Sequence, residues 1–367
     1  MNSQVIIIGA GLSGLRAASV LSDHGIACQV LEARDRIGGR ILSKEVEGKP
    51  EFGRYDLGPT WFWPRYEPKM TALAEDLKLD TFAQADHGRI VMERSLHEPL
   101  QYYELSEGAM DTSLRIAGGV HTLIASIKNT LPEGIVRLNS RVTAITQKDD
   151  KTVNIEVNGG KERITAKAVI FALPPRLIAR HIAFEPGLPQ ELRNQLMNKP
   201  TWMAAQAKAV VIYDRPFWRE QGLSGFASSW VGPLQEIHDA SPVPGHGTGG
   251  ALFGFFGINA NKRLELGEER LKELIREQLV RLFGPQAKDN VAILYKDWST
   301  DPDTAVLEDA DPISDYPDYG PPDGDVHSWD KTIYFAGTET SRVQGGHLEG
   351  ALQSADRAAM KVIEQLK

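Results

Sequence analysis

The sequence predicts an α/β protein of two domains, one of which is interrupted by the other. The chain opens with a strand–glycine–helix–strand pattern over residues 5–32 and closes with a strand–glycine–helix pattern over residues 332–366. Short alternating strands and longer apolar strands fill the middle of the chain. We therefore expect a discontinuous nucleotide-binding domain of residues 1–72, 114–200 and 300–367, and a second domain of residues 73–113 and 201–299.

The opening pattern has the spacing of a dinucleotide-binding fingerprint. Residues 4–8 are a short apolar run, typical of a buried parallel strand, and the sequence G-x-G-x-x-G follows at once. The first glycine permits a tight turn, the second lets the backbone approach a pyrophosphate, and the third lets the helix pack closely on the strand. A lone glycine pattern also fits ordinary turns, but here strand, helix and acidic residue stand in the required order. The predicted contacts are Gly9, Gly11, Leu12, Ser13, Gly14 and Glu32.

The second strand ends on Glu32, and the segment behind it extends this site. A carboxylate roughly 20 residues into the fingerprint accepts hydrogen bonds from the ribose hydroxyls, which favours FAD or NAD over NADP. Residues 33–40 then bring arginines that could meet phosphates and a glycine pair that gives the backbone freedom beside a ligand. By itself this segment could be a solvated basic turn. We expect cofactor contacts from Ala33, Arg34, Gly38, Gly39 and Arg40.

Composition excludes several classes of function. A hydrophobic content of 41% and a charged content of 25% are ordinary for a soluble protein of 367 residues. The net charge of −8 does not indicate a nucleic-acid partner. Cys28 is the only cysteine, so no internal disulfide can form. We see no signal peptide, no membrane span and no metal-binding spacing, and we expect a cytoplasmic protein.

Periodicity predicts the remaining elements. Helices are expected at residues 67–79, 120–131, 268–283 and 347–366. An antiparallel meander is expected from Val136–Leu138, Val142–Gln147, Val153–Val157 and Glu162–Thr165. Further strands are expected at Lys167–Leu173, Met203–Tyr213, Gly249–Phe256 and Thr332–Ala336, and an acidic surface loop at Asp309–Asp325.

Together these segments resemble the flavin-containing amine oxidase family. The resemblance is densest at residues 9–14 with 31–40, at 56–61, at 171–175, at 206–218, and at 335–340 with 345–351. It implies a Rossmann-like FAD-binding domain with an inserted α+β substrate domain, and FAD as the cofactor. Covalently flavinylated members attach FAD through a cysteine that has no counterpart in residues 307–310. The resemblance therefore implies non-covalent FAD.

The resemblance also implies further cofactor contacts. The turn at residues 58–61 would lie against the flavin ring, and Val142 would lie at the adenine. Residues 337–339 would meet the pyrophosphate and the ribityl chain, and the last helix would begin under the flavin. These contacts are Gly58, Pro59, Thr60, Trp61, Val142, Trp298, Gly337, Thr338, Glu339, Gly346 and Leu348.

Two residues are predicted to act in catalysis. Lys208 lies in an apolar strand, where a lysine facing the core is costly unless it is paired or functional. Pattern alone equally allows Lys208 to face solvent, but the resemblance implies that it holds a water near the flavin. His347 stands where the family often has one of two aromatic rings that frame the substrate, although it could also simply cap the last helix. The partner ring is missing, and Tyr316 or Tyr319 could replace it.

The resulting prediction is an enzyme that oxidises the C–N bond of a small-molecule amine. Hydride would pass to the flavin, the imine would hydrolyse, and molecular oxygen would reoxidise the flavin to give hydrogen peroxide. Two alternatives are a desaturase or porphyrinogen-type oxidase acting on C–C bonds, and a flavin-binding protein without turnover.

Overall fold

The computed structural model describes residues 4–104, 108, 111–311, 313, 315–322, 329 and 331–367. Strands and α-helices are numbered in chain order within these residues. The predicted acidic loop Asp309–Asp325 lies partly outside them.

A parallel sheet carries the glycine-rich turn. β1 (Val5–Ile8) lies at its centre, between β2 (Cys28–Leu31) and β13 (Ala168–Phe171), while β9 (Val136–Arg137) and β20 (Ile333–Phe335) form its edges. All of these pairs are parallel. Every residue of β1 and β13 is buried, as expected for strands that are covered on both faces.

Helices cover one face of the parallel sheet. The first and last helices pack against each other on this face, and both contribute alanines to the core. Small side chains let the two helix backbones approach closely, which holds both ends of the chain at the glycine-rich turn. The helices of this layer are α1 (Leu12–Asp23), α2 (Pro68–Asp76), α3 (His121–Thr130) and α8 (Leu348–Leu366).

A second sheet, the meander sheet, covers the other face of the parallel sheet. Its buried valines and isoleucines share one core with Ile6, Val169 and Phe171 of the parallel sheet. Two short helices, α4 (Pro175–His181) and α5 (Gln190–Met197), precede and follow its last strand in the chain. In sheet order its strands are β12 (Glu162–Ala166), β11 (Val153–Val157), β10 (Val142–Gln147) and β14 (Ala183–Glu185).

The prediction that Val136–Leu138 begins the meander is wrong. Val136 pairs instead with Val30, in parallel, at the edge of the first sheet. The segment follows helix α3, and a strand that returns through a helix joins a sheet in parallel. Alternation of apolar residues did not distinguish these two sheets.

A third sheet, the large sheet, combines an early hairpin with the middle of the chain. One of its faces packs on α7 (Ala260–Phe283), whose buried residues include Leu271, Ile275 and Leu279. The predicted helix 268–283 is the second of two helical parts of α7, which meet at a kink at Gly267, where φ is 74°. The first part, residues 260–266, was not predicted. In sheet order the strands are β19 (Ala292–Asp297), β15 (Ala207–Tyr213), β18 (Gly250–Phe256), β17 (Leu234–Asp239), β16 (Leu223–Ser229), β6 (Arg89–Glu93) and β7 (Gln101–Tyr103).

Short elements connect the three sheets. The predicted strand Met203–Tyr213 begins only at Ala207, because the residues before it form a turn.

The domain boundaries given above stay a prediction. In the parts of the chain that are described, no helix is both long and apolar enough to cross a membrane. The remaining elements are α6 (Phe217–Glu220), the pairs β3 (Ser43–Glu45) with β4 (Arg54–Asp56) and β5 (Thr81–Ala83) with β8 (Leu114–Ile116), and 3₁₀ turns at Pro50–Phe52, Pro285–Lys288, Leu307–Asp309 and Thr338–Thr340.

Candidate active site

A cavity of about 460 Å³ lies between the carboxyl ends of the parallel strands and the large sheet. In open α/β sheets, ligands bind at this edge. Of the residues predicted to form the site, only Gly14 and Glu339 do not line this cavity; the others, from Gly9 to Leu348 and including Lys208 and His347, all do. The fold therefore brings together segments that are up to about 340 residues apart in the chain.

The glycine-rich turn is shaped for backbone contact with an anion. Gly9 has a φ of 102°, and a Cβ atom there would lie 2.7 Å from the carbonyl oxygen of Ala172. A Cβ atom at Gly14 would lie 1.9 Å from the carbonyl oxygen of Gly9, so Gly14 serves close packing. Helix α1 begins after Gly11 without a side-chain cap. Its first N–H groups and its dipole thus face the cavity, as a pyrophosphate requires.

Glu32 is buried at the end of β2 and is held in place by the backbone. Its Oε2 accepts a hydrogen bond from the Ala10 N–H at 2.8 Å, and its Oε1 accepts one from the Arg34 N–H at 2.9 Å. The carboxylate lines the cavity and retains further lone pairs for a ligand. The contact of Glu32 with a ribose stays a prediction.

Arg34 lines the cavity, but its guanidinium group is engaged elsewhere. It donates to Asp301 at 2.6 Å and to Thr304 at 3.0 Å. Arg141 forms an ion pair with Asp303 at 2.6 Å. These contacts fix residues 298–304, which we call the strap, across one wall of the cavity. Sequence analysis found only Trp298 in this segment, because its acidic residues resemble an ordinary polar loop.

Arg40 and Glu339 form a buried ion pair beside the cavity. The two N–H···O distances are 2.6 and 3.2 Å, a bidentate arrangement. The Glu339 side chain is 0% exposed, whereas that of Arg40 is 29% exposed and lines the cavity. Glu339 was predicted to meet the pyrophosphate, but here it lies behind Arg40. Because Arg40 neutralises its charge, Glu339 would not repel a phosphate bound in the cavity.

Lys208 is buried in β15 and points at the turn that was predicted to lie against the flavin. Its Nζ donates to the Gly58 carbonyl oxygen at 3.1 Å and to the Thr60 hydroxyl, and lies 4.0 Å from the ring centroid of Phe253. Only 2% of the residue is exposed, so the alternative of a solvent-facing lysine does not hold. Burial lowers the pKa of Lys208 to about 7, although Asp56 opposes the shift.

The turn that accepts from Lys208 is itself anchored where it begins. Asp56, at the end of β4, accepts hydrogen bonds from Ser43 at 2.5 Å and from the Val120 N–H at 2.9 Å. The indole N–H of Trp298 donates to the Leu57 carbonyl oxygen at 2.8 Å. The lysine therefore faces acceptors whose positions are fixed by three different elements.

His347 precedes α8 and lines the cavity, and its side chain makes no capping hydrogen bond. Its Nδ1 lies 3.1 Å from the Gly345 carbonyl oxygen. Neither Tyr316 nor Tyr319 lines the cavity, and the Tyr319 hydroxyl donates to the Pro200 carbonyl oxygen. Trp202 lies there instead, packed edge to face on Tyr316 at 5.1 Å. Sequence analysis missed Trp202, because it predicted a strand that begins at Met203 where the structure has a turn.

Glu67 is a buried carboxylate of the cavity wall that sequence analysis also missed. Its Oε2 accepts from the Trp63 N–H at 2.7 Å, and burial raises its pKa. A glutamate before a proline resembles an ordinary helix start, so no signal in the sequence pattern revealed Glu67.

Cys28 does not line the cavity, and burial raises its pKa to about 11. Among the described residues, no cluster of His, Cys, Asp and Glu could hold a metal ion.

Comparison with known proteins gives a consistent result. The family model "Flavin containing amine oxidoreductase" matches residues 102–363, and "NAD(P)-binding Rossmann-like domain" matches residues 7–77. A probable flavin-containing monoamine oxidase A of Dictyostelium discoideum is 24% identical, with 99% of this chain and 98% of that protein covered. Amine oxidase [flavin-containing] B of Homo sapiens is 26% identical, with 99% and 86% covered.

Solved structures show the same architecture. Putrescine oxidase bound to putrescine superposes with a TM-score of 0.80 at 21% identity, covering 99% of each chain. Cyclohexylamine oxidase from Brevibacterium oxydans IH-35A gives a TM-score of 0.80 at 21% identity, covering 100% of each chain. These likenesses confirm the two-domain amine oxidase fold. Because the family model spans more than half of the chain, the protein is an oxidoreductase that belongs to the flavin-containing amine oxidoreductase family.

Proposed function

We propose that this protein uses non-covalently bound FAD to oxidise the C–N bond of a small-molecule amine. Family membership implies a flavin, and the cavity suits the dinucleotide form in particular. The uncapped start of α1 would hold the pyrophosphate, Glu32 the ribose, and Val142 the adenine. The turn at residues 58–61 and the start of α8 would hold the flavin ring.

Bound there, FAD supplies a hydride acceptor for the carbon next to the amine nitrogen, and oxygen as final acceptor would yield hydrogen peroxide. The protein positions the amine and excludes water. The amine of Lys208 can exchange a proton beside the turn at residues 58–61. Its pKa of about 7 lets the amine be neutral or charged near neutral pH. The partial positive charge at the start of α8 would favour negative charge at that wall.

The buried Lys208 is the observation that supports this function most. Burying a lysine inside an apolar sheet costs stability even with the hydrogen bonds to Gly58 and Thr60, so the presence of Lys208 in a cavity wall points to chemistry. Relatives named as monoamine and putrescine oxidases support an amine as substrate. Anaerobic bleaching of the flavin by a panel of amines tests the proposal. Bleaching only by substrates without a C–N bond would instead favour the desaturase alternative.

The first expected result concerns the attachment of the cofactor. Acid or heat precipitation of the purified yellow protein should release all of the FAD into the supernatant, about one per chain. The reason is that Cys28, the only cysteine, lies away from the cavity. Absorbance spectra of supernatant and pellet measure the outcome. Flavin retained by the denatured pellet would show a covalent bond through another residue.

The single cysteine, which forms no internal disulfide, also supports a cytoplasmic location.

A second result concerns Glu32. Glu32→Ala should weaken FAD binding by about tenfold or more, because charge-assisted hydrogen bonds contribute roughly 1.5–3 kcal/mol each. Titration of apoprotein with FAD, followed by flavin fluorescence, measures the dissociation constant. Glu133→Ala, at an exposed loop position, is the control and should leave it unchanged. Equal affinities of the Glu32 variant and wild type would exclude the ribose contact.

A further inference from the structure

Glu67 is a buried carboxylate of the cavity wall that the proposed function leaves without a role. The residue is 2% exposed and stands directly before α2. Its Oε2 accepts from the Trp63 N–H at 2.7 Å, and it lines the cavity together with Leu348 and Ala351 of α8. The turn at residues 58–61 and the start of α8 are the two places proposed to hold the flavin ring. Glu67 therefore belongs to the same wall.

A second buried carboxylate lies beside Glu67. Glu349, in the first turn of α8, accepts from the Met70 N–H at 2.9 Å and from the Gln353 amide at 2.9 Å. Burial raises the pKa of Glu67 and the charge of Glu349 adds to the shift, although hydrogen bonds from the Trp63 and Glu349 N–H groups oppose it. Glu67 therefore holds a proton more readily than an exposed glutamate does.

The cations around these carboxylates are engaged with another partner. Arg16 of α1 and Lys69 of α2 both form ion pairs with Asp356 of α8, at 2.7 and 2.5 Å. Among the described residues, no lysine, arginine or histidine lies within ion-pair distance of Glu67. A negative charge on Glu67 is thus stabilised by backbone N–H groups and by the positive end of α8, and by no counter-ion.

This arrangement couples the charge of Glu67 to that of a flavin in the cavity. A flavin that has accepted a hydride carries a negative charge. An ionised Glu67 in the same wall would repel that charge and would compete for the positive end of α8. A proton on Glu67 removes both effects. Because such coupling is reciprocal, reduction of the flavin strengthens proton binding by Glu67, and protonation of Glu67 favours reduction.

We propose that Glu67 takes up a proton from solvent when the bound flavin is reduced, and thereby sets how the reduction potential of the enzyme depends on pH. The proposal rests on the proposed function, because it takes FAD to occupy the cavity. The electrons pass from the reductant to the flavin. Glu67 changes only from carboxylate to carboxylic acid, so it is neither oxidised nor reduced.

The reduction potential, measured at a series of pH values, tests this role without any amine. Anaerobic titration of the holoenzyme with dithionite and a reference dye gives the potential. Above the pKa of Glu67 in the oxidised enzyme, Glu67→Gln should be easier to reduce than the wild type. The equilibrium constant should differ by about tenfold for each unit by which reduction raises that pKa. At low pH, where Glu67 is neutral in both states, the two proteins should agree.

The variant and its control keep the rest of the cavity unchanged. Glutamine retains an oxygen that can accept from the Trp63 N–H. Lys208 and His347 also line the cavity, but they are present in both proteins, so their titration does not separate the two curves. Glu75→Gln, at an exposed position of α2, should match the wild type at every pH.

An infrared measurement keeps the inference testable if Glu67→Gln does not bind FAD. The difference spectrum of reduced minus oxidised wild type should contain a new C=O band of a protonated carboxylic acid, whereas Glu75→Gln should show the same band. Its absence from the wild type would overturn the inference. The same band should be missing from Glu67→Gln where that variant does bind FAD.

The outcomes separate this role from amine oxidation. Equal potentials of the wild type and Glu67→Gln at every pH would overturn the inference and leave amine oxidation untouched. A lower melting temperature of Glu67→Gln with an unchanged pH dependence would show a merely structural role. The expected pH dependence without flavin reduction by any amine would support Glu67 and overturn amine oxidation. If the protein binds no FAD, both proposals fail.

Discussion

Lys208→Met is expected to reduce the rate of flavin reduction by an amine about 100-fold or more, while the protein still folds and binds FAD. Methionine matches the length and apolar stem of lysine, so the packing on Phe253 is retained. The hydrogen bonds to Gly58 and Thr60 are lost together with the exchangeable proton. Anaerobic stopped-flow absorbance measures reduction, and a parallel experiment measures reoxidation by oxygen. Wild-type rates in both half-reactions would remove Lys208 from the mechanism.

The same substitution has a stability signature with a defined sign. The pKa of Lys208 falls to about 7 in the folded protein, below its value in the unfolded chain. Between these two pKa values the unfolded state binds the additional proton, so wild-type stability rises with pH. Relative to Lys208→Met, the wild type should gain about 1.4 kcal/mol per pH unit through that window and nothing below it. Lys361→Met, at an exposed position of α8, should show no such slope.

Arg40→Ala is expected to destabilise the apoprotein by roughly 3–5 kcal/mol, because it leaves the fully buried Glu339 charge without its partner. Thermal and urea denaturation of FAD-free protein measure the loss and separate it from weaker cofactor binding. Adding Glu339→Gln to Arg40→Ala should restore part of the stability, since the stranded charge is then removed.

An exposed ion pair provides the control for Arg40. Arg180 and Glu308 form a salt bridge in which both side chains are substantially exposed, 48% and 33%. Solvent screens such a pair, so Arg180→Ala should cost no more than about 1 kcal/mol. If the Arg40 and Arg180 variants lose equal stability, the Arg40–Glu339 pair contributes no more than a surface contact.

Local pattern was sufficient for the parts of the site that lie within one short segment. The glycine-rich turn, Glu32 and the start of α8 each follow from the order of strand, glycine and helix, and all line the cavity. Lys208 could be assigned to a strand, but β15 is buried on both faces, and only the contacts with Gly58 and Thr60 show which way the lysine points. The alternation of polar and apolar residues cannot reveal the direction of this side chain, because a strand that is covered on both faces has no polar face.

Other features depend on which distant segments pair. Phe255 comes into line with Lys208 in the cavity wall only through the pairing of β18 with β15, which are not consecutive strands in the chain. The strap residue Asp301 meets Arg34 across 267 positions of sequence. Trp202 enters the cavity because the chain turns before β15 and does not extend the strand. Contacts between segments that are distant in the chain cannot be predicted from a short stretch of neighbouring residues.

The order of strands in the parallel sheet has a consequence for how the protein is made. β1 and α1 emerge from the ribosome long before α8, which packs on α1, and before β20, which lies two strands away from β1 in the parallel sheet. Ser13 of α1 even donates its hydroxyl to the carbonyl oxygen of Ala351 in α8. Until α8 has been translated, the nascent chain therefore has the glycine-rich turn and α1 without the helix that packs against them. Because α8 lines the cavity, a cofactor that binds there can be enclosed only after α8 has emerged, so the availability of that cofactor acts after this part of the chain has been translated.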